Sequence, residues 1–298
     1  MAGVQELLDC MISSWYPRFQ RVTFKTVILP LPQPVLDWLV SDGLHLPPDS
    51  QAFAKRSPLE EYATEDDYQE WTSEDEASEG SAAPPPPPEL ATLRQQLQAA
   101  IESLGGRVVP KLSWSCPKDA VWMSPSASLC CANAEEVLLL LRSSDRVAHD
   151  ICHALQQAAG GAADGGADGG AEAGPSGGAA ASAAAGGGAA VPAVQHCLAL
   201  RRWHDLQPGR EFRCFVRGGE LVGASQRDVT HCYSFLRDER RELAAALQAF
   251  HARHIQGRFP HPHYTYDAYV AASGAVRLLD FNPLRGTTSP LLFSWHEL

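Results

Sequence analysis

The sequence predicts an α+β protein built on antiparallel sheets. Two stretches carry the β part. Residues 264–283, YTYDAYVAASGAVRLLDFNP, read as two β-rich runs joined at Ser273-Gly274. Residues 211–216 and 221–227 read the same way about Gly218-Gly219. The third observation is helical. Leu90, Leu93, Leu97, Ile101 and Leu104 follow 3-and-4 spacing, so 89–104 is an amphipathic helix separate from the strands.

The 264–283 hairpin holds the most chemistry. With a two- or four-residue loop, Asp267 falls directly opposite Asp280. Asn282 then lies two residues on, on the same face. That face otherwise carries Tyr269, Ala271, Val276 and Leu278. Like charges directly opposite oppose pairing, by about 0.2–1 kcal/mol. A hard divalent cation would reconcile them, with Asp267, Asp280 and Asn282 as oxygen ligands. An Arg or Lys from elsewhere would serve as well, as would full solvation.

In chain order, 1–20 read as a helix around Leu7, Leu8 and Met11, closed by Trp15-Tyr16-Pro17, with the aromatics in packing roles. Residues 22–29 form a strand ending at Pro30. Pro34 suits the first turn of a short helix, with Gly43 past its end. Residues 49–88 are a linker containing an acidic run and Pro84 to Pro88. Such a segment buries too little apolar surface to offset ordering entropy. Gly105-Gly106 ends the 89–104 helix. An extended segment follows from Val108, with Lys111 directly after Pro110. Lys111 lies near Trp114 and Lys118, where it could meet an anion; a snorkelling surface lysine is the simpler reading. Residues 134–142 are a helix with acids first and Arg last, and Asn133 is its N-cap. Residues 158–190 are nearly all Ala, Gly and Ser, a low-complexity insert.

Residues 196–203 are another strand. In the 211–227 hairpin, Glu211, Arg213, Phe215, Val222, Ala224 and Gln226 share one face. Phe212, Cys214, Val216, Leu221, Gly223 and Ser225 share the other, which is the core side. Residues 235–255 form a helix burying Leu236, Leu243, Leu247 and Phe250. The lobes expected are 1–48 with 89–157, and 194–298, separated by the 49–88 linker and the 158–193 insert.

Composition narrows the function. The net charge of −11 over 298 residues belongs mostly to loops: 60–79 hold ten acids and no base, and the insert holds three more. The remaining 22 acids nearly match 24 basic residues, which speaks against a nucleic-acid binder with a strong basic field. No apolar run approaches a membrane span, and the N-terminus does not read as a secretory signal, so a cytoplasmic protein is expected. The eight cysteines form no C-x-x-C pair, which leaves zinc spacing out and makes small buried thiols the ordinary reading. No Walker-A pattern occurs, and no Ser-His-Asp or Cys-His arrangement is indicated.

The cationic and acidic residues placed on strands are Lys111, Arg201, Arg202, Glu211, Arg213, Arg227, Asp267, Asp280 and Asn282. Together they suggest a site for phosphate with magnesium. The strings SSWYP, VILPLPQ, GGRVVPKLSWSCPKDA, LRRWHDLQPGREFRCFV, GASQRD and LLDFNP resemble the cell division cycle protein 123 family, in order and over nearly the whole chain. The resemblance implies an ATP-grasp-like fold of two α+β lobes, with a nucleotide cleft between antiparallel sheets. It implies ATP and Mg2+ as ligands. It also implies a role as assembly chaperone for eukaryotic translation initiation factor 2, acting on the gamma subunit as a monomer.

By residue, the resemblance assigns Lys111 and Lys118 to the phosphates, with Trp114 and Cys116 close to the nucleotide. Arg201, Arg202, Trp203 and His204 would meet the adenine edge, Glu211 the ribose, and Arg213 and Arg227 the phosphates. Asp267, Asp280 and Asn282 would hold magnesium. Three departures stand out. Lys118 replaces an arginine that relatives can carry. LRGTTSPLLF replaces a Gly-Glu pair after LLDFNP. Relatives also continue well beyond the position of Leu298. The competing functions are an ATP-grasp ligase that activates a carboxylate by phosphoryl transfer, and a binding module whose ATP site is vestigial.

Overall fold

The computed structural model describes residues 2–41, 86–124, 126–160 and 194–298. The acidic run, the helix stop expected at Gly43 and nearly all of the Ala/Gly insert lie outside the described residues. In chain order the elements are α1 (Ala2–Asp9), α2 (Ile12–Phe19), β1 (Thr26–Pro30), α3 (Gln33–Val40), α4 (Pro88–Ser103), β2 (Val108–Leu112), α5 (Ala134–Arg142), α6 (Asp145–Cys152), α7 (Ala154–Gly160) and β3 (Cys197–Arg202). They continue with β4 (Glu211–Arg217), β5 (Glu220–Gln226), α8 (Phe235–Asp238), α9 (Arg240–Phe250), β6 (Tyr264–Val270) and β7 (Val276–Asn282). The expected α+β class holds, with two antiparallel sheets.

The described residues fall into two compact units. One lies within Phe24–Ile151 and Gln195–Asp205. Its sheet has the order β1-β3-β2. Alternation along β3 sends Leu198 and Leu200 to one face, where they join Leu93, Leu97, Ile101, Val137 and Leu141 in a continuous core. Lys111 lies opposite Ala199 and Val109 opposite Arg201, so Lys111 and Arg201 share the other face. The helices behave as their sequences dictate. After α4, Gly105 and Gly106 take φ of 96° and 82°, and their N–H groups close onto Glu102 and Ile101 carbonyls at 3.0 and 2.9 Å. Asn133 caps α5, its Oδ1 accepting from the Glu136 N–H at 2.8 Å, while Glu136 reaches back to the Ala132 N–H at 2.7 Å.

The other unit lies within Met1–Thr23, Cys152–Val194 and Leu206–Leu298. Its sheet has the order β5-β4-β6-β7. The residues 1–23 therefore group with this unit and not with the expected 1–48 lobe, and β3 groups with the first unit. Both shifts have a packing cause. Phe281 on β7 sits 5.6 Å from Trp15 and 5.0 Å from Phe19, and stacks on Phe259 at 4.3 Å, which draws α2 onto this sheet. Strand β3 is the central strand of the first sheet. The expected single helix over 1–20 is two helices, with Pro17 inside the second. The expected 235–255 helix is α8, α9 and a final π-turn over His251–Ile255.

Each hairpin contains a bulge that the local pattern did not announce. The β6–β7 connection is three residues, 272–274: the Ala271 N–H donates to the Ala275 carbonyl at 2.9 Å, and Gly274 has φ of 80°. That turn alone places Ala268 opposite Leu278. Leu279 is then inserted at the Asp267–Ala268 step and brings Asp267 opposite Asp280. The opposed pair is as expected, but Leu278 and Val276 move to the core face with Ala268 and Val270. In the β4–β5 hairpin, Val222 is inserted at the Phe215–Val216 step. Arg213 consequently opposes Ser225, and Phe215 opposes Gly223, so the expected faces of β5 are exchanged from Gly223 onward.

Candidate functional site

The expected site residues form two groups, one in each unit. In the β5-β4-β6-β7 sheet, Arg213 opposes Asp267 and Asp267 opposes Asp280, while Thr265 opposes Asn282. Opposed residues share a face, so Glu211, Arg213, Asp267, Asp280 and Asn282 all line one side of this sheet. Arg227, just after β5, donates its backbone N–H to the Glu211 carbonyl at 2.9 Å, which brings its side chain to the same place.

The centre of this group is an ion cluster. Arg213 grips Asp267 through Nε at 2.9 Å to Oδ1 and Nη2 at 3.1 Å to Oδ2. Arg227 Nη1 reaches the same Oδ2 at 3.0 Å. Arg213 and Asp267 are only 6% and 5% exposed. Arg213 Nη1 also donates to the Ser289 carbonyl at 3.1 Å. A buried carboxylate held by two guanidiniums is a demanding arrangement: removing the acid strands two charges. Of the alternatives open in the sequence, the Arg partner is thus present at Asp267. Among the described residues, no group of three or more His, Cys, Asp and Glu side chains is placed to hold a metal ion.

A divalent cation still fits part of this face. Asn282 Nδ2 is buried with no hydrogen-bond partner. A half-turn of that amide presents Oδ1 instead, an acceptor beside Asp280 on the same strand face. Asp280 and Asn282 are the natural pair for such an ion, and Asp267 can share only the lone pairs its arginines leave.

In the other unit, Lys111 is 1% exposed, so it is not the snorkelling surface lysine of the simpler reading. Its Nζ donates to the Trp114 carbonyl. The Trp114 ring meets His196 edge to face at 5.7 Å. The Cys116 carbonyl accepts from the Lys118 N–H at 2.7 Å, and the Lys118 side chain is exposed. Arg201 is buried, with its guanidinium over the Phe24 ring at 5.8 Å. His204 lies against the same ring at 4.7 Å. Arg202 donates its N–H to Lys25 and Trp203 to Arg107, at 2.9 and 3.0 Å.

The D123 family model matches residues 15–298. The chain belongs to the D123 family. A Xenopus laevis relative, "Translation initiation factor eIF2 assembly protein", is 35% identical over 99% of this chain and 78% of its own length. A Phaeosphaeria nodorum relative, "Cell division cycle protein 123", is 34% identical over 100% of this chain and 70% of its own. Among solved structures, C-terminally truncated Cdc123 from Schizosaccharomyces pombe matches with a TM-score of 0.70 and 30% identity, covering 99% of this chain and 91% of that one. The D123 membership accounts for the long strings met in order along the sequence.

One buried acid in the same unit as Lys111 escaped the sequence reading. Asp150 on α6 is 5% exposed and accepts from the Ser115 N–H at 2.8 Å and the Ser115 hydroxyl at 3.0 Å. Burial pushes its carboxyl up to about 6, against the pull of Lys111, Ser115 and His149. Its signal was in the helix pattern. Val147 and Ile151 mark the core side of α6, and Asp150 falls between them on that side.

Proposed function

We propose that this chain is an assembly factor for translation initiation factor eIF2, acting on its gamma subunit and binding ATP with magnesium. The carrying observation is the similarity of 99% of the chain to a relative named for eIF2 assembly. The nucleotide part of the reading is supported by the cation-rich polar face of the β5-β4-β6-β7 sheet.

The roles follow from charge and placement. Arg213 and Arg227 are fixed by Asp267 and present the remaining guanidinium edges to phosphate oxygens. Lys111 and Lys118 add phosphate contacts, the first buried and the second exposed. Asp280 and Asn282, joined by Asp267, hold the magnesium ion, which would screen phosphate charge when bound. Glu211 takes the ribose hydroxyls, and 201–204 with Trp114 and Cys116 surround the base. Magnesium-bound nucleotide is here a ligand that orders the chain for its partner. Among the described residues, no set for a small carboxylate and amine is apparent. We place this activity in the cytoplasm, with the chain acting as a monomer.

Two measurements test the proposal. Purified eIF2 gamma subunit should be retained on the immobilised chain, and loss of that retention in Asp280→Ala would tie capture to the nucleotide site. Calorimetry with ATP and magnesium should show binding that Asp280→Ala removes while the circular dichroism spectrum is unchanged. Wild-type affinity in that variant would defeat the metal assignment. Failure to retain the gamma subunit under any nucleotide condition would defeat the partner assignment.

A further inference from the structure

Arg227 stands where a strand runs out. Its N–H bonds the Glu211 carbonyl at 2.9 Å, and the chain then leaves β5. Arg213, by contrast, lies within β4, between β5 and β6, and grips both oxygens of Asp267. Arg227 reaches Asp267 through Nη1, and its side chain is 26% exposed. A long side chain at a strand end keeps its place best when the backbone after it is fixed.

The residues that follow supply that fixing. Each carboxylate oxygen of Asp228 takes two donors. Oδ1 accepts from the Thr230 N–H at 3.0 Å and the Thr230 hydroxyl at 2.6 Å. Oδ2 accepts from His231 Nδ1 at 2.9 Å and from the Tyr233 hydroxyl. Gln226 spans Arg227 from the other side: its Nε2 donates to the Asp228 carbonyl and, at 2.9 Å, to the His231 carbonyl. The Tyr233 ring seats on Gly209, where a Cβ would come within 2.6 Å of it. Gly209 lies two residues before Glu211, whose carbonyl holds the Arg227 N–H. The loop is thus closed back onto the entry to β4.

We propose that Asp228 is a positioning residue for Arg227: its carboxylate closes the 228–233 loop, and the closed loop holds the Arg227 guanidinium on Asp267 with an edge turned to a nucleotide phosphate. The phosphate part rests on the nucleotide reading given above; the positioning of Arg227 stands without it. The physical reason is preorganisation. A guanidinium ordered before its ligand arrives loses less conformational freedom on binding. Asp228 acts through Arg227 and does not itself touch the nucleotide.

The test uses the full chain and two readouts. The first needs no nucleotide. The Nε–H resonance of Arg227, assigned by its loss in Arg227→Lys, should show an ordered side chain in wild type by nitrogen relaxation. In Asp228→Ala it should average toward a mobile arginine, while the Arg213 resonance keeps its order. An Arg227 side chain equally ordered in both proteins overturns the proposal. The second readout is calorimetry with ATP and magnesium. Asp228→Ala should bind about tenfold more weakly, roughly the loss of one charge-assisted hydrogen bond. In an Arg227→Ala background the same change should cost less than about twofold, because no guanidinium is left to place. A merely structural Asp228 would cost the same factor in both backgrounds, and that result overturns the proposal. Should Asp228→Ala fail to fold, Tyr233→Phe removes one of its donors and takes its place in both measurements; an unmoved Arg227 resonance there overturns the proposal. Absence of nucleotide binding by wild type sinks the site reading, and the Arg227 resonance still decides the positioning.

Discussion

Asp267 lies directly opposite Asp280 across β6 and β7, yet its carboxylate is gripped by Arg213 and Arg227. The opposed acids are thus unequal. Asp267 belongs to an ion cluster that holds the sheet face together, while Asp280 sits two residues from an amide with an unsatisfied buried nitrogen. That sheet face is then a cationic cluster next to a smaller oxygen-rich corner.

Asp267→Ala should destabilise the fold by about 3–5 kcal/mol, because two guanidiniums lose the acid between them. Asp280→Ala should cost distinctly less. Urea unfolding of both variants measures the contrast. Equal losses would mean that the cluster is not the main contribution of Asp267.

Gly209 has no room for a side chain. A Cβ there would meet the Tyr233 ring at 2.6, 2.7 and 2.8 Å. Gly209→Ala should lower stability by about 1–3 kcal/mol through overpacking. The same change in a Tyr233→Ala background should cost much less, and thermal melting of the double-mutant cycle reads the difference.

Asp150 makes stability depend on pH. Its carboxyl is raised from 3.8 to about 6 in the folded chain. The folded state therefore binds a proton more tightly than the unfolded chain does. That contribution is complete below the unfolded value and is lost as pH rises through about 6, by roughly 3 kcal/mol for about two pKa units. Urea midpoints for wild type and Asp150→Asn at pH 4, 5, 6 and 7 isolate it. The wild type should lose ground to the variant along that series, and a constant gap would refute the assignment.

Asn133→Ala should cost about 1 kcal/mol by releasing the Glu136 N–H, and Asn133→Ser, which keeps a capping oxygen, should cost less. Chemical denaturation of the two variants is sufficient to tell them apart.

Much of the fold is legible where the determining forces are local. The 3-and-4 spacing marked α4, the Asn and flanking acids marked α5, and Gly218-Gly219 with φ of 60° and 82° marked the β4–β5 turn. The opposition of Asp267 and Asp280 was legible too, though through two compensating features. A three-residue turn offsets the register by one, and the Leu279 bulge restores it. At Val222 a second bulge goes uncompensated within its hairpin, and so the expected faces of β5 come out exchanged. Asp150 was missed because no helix was read over 145–152; once that helix is drawn, the 3-and-4 spacing puts Asp150 on the core side with Val147 and Ile151.

By itself, the sequence determined the α+β class, the strands and the α4 and α5 helices, the D123 membership and the residue types available for phosphate and cation. Side-chain periodicity and turn chemistry act over a few residues, so a linear reading reaches them. Only the tertiary structure decided which unit claims α1, α2 and β3, which acid the arginines neutralise, and that Lys111 is buried near Asp150. Those outcomes turn on contacts between residues tens to hundreds of positions apart, where burial and desolvation outweigh any local preference.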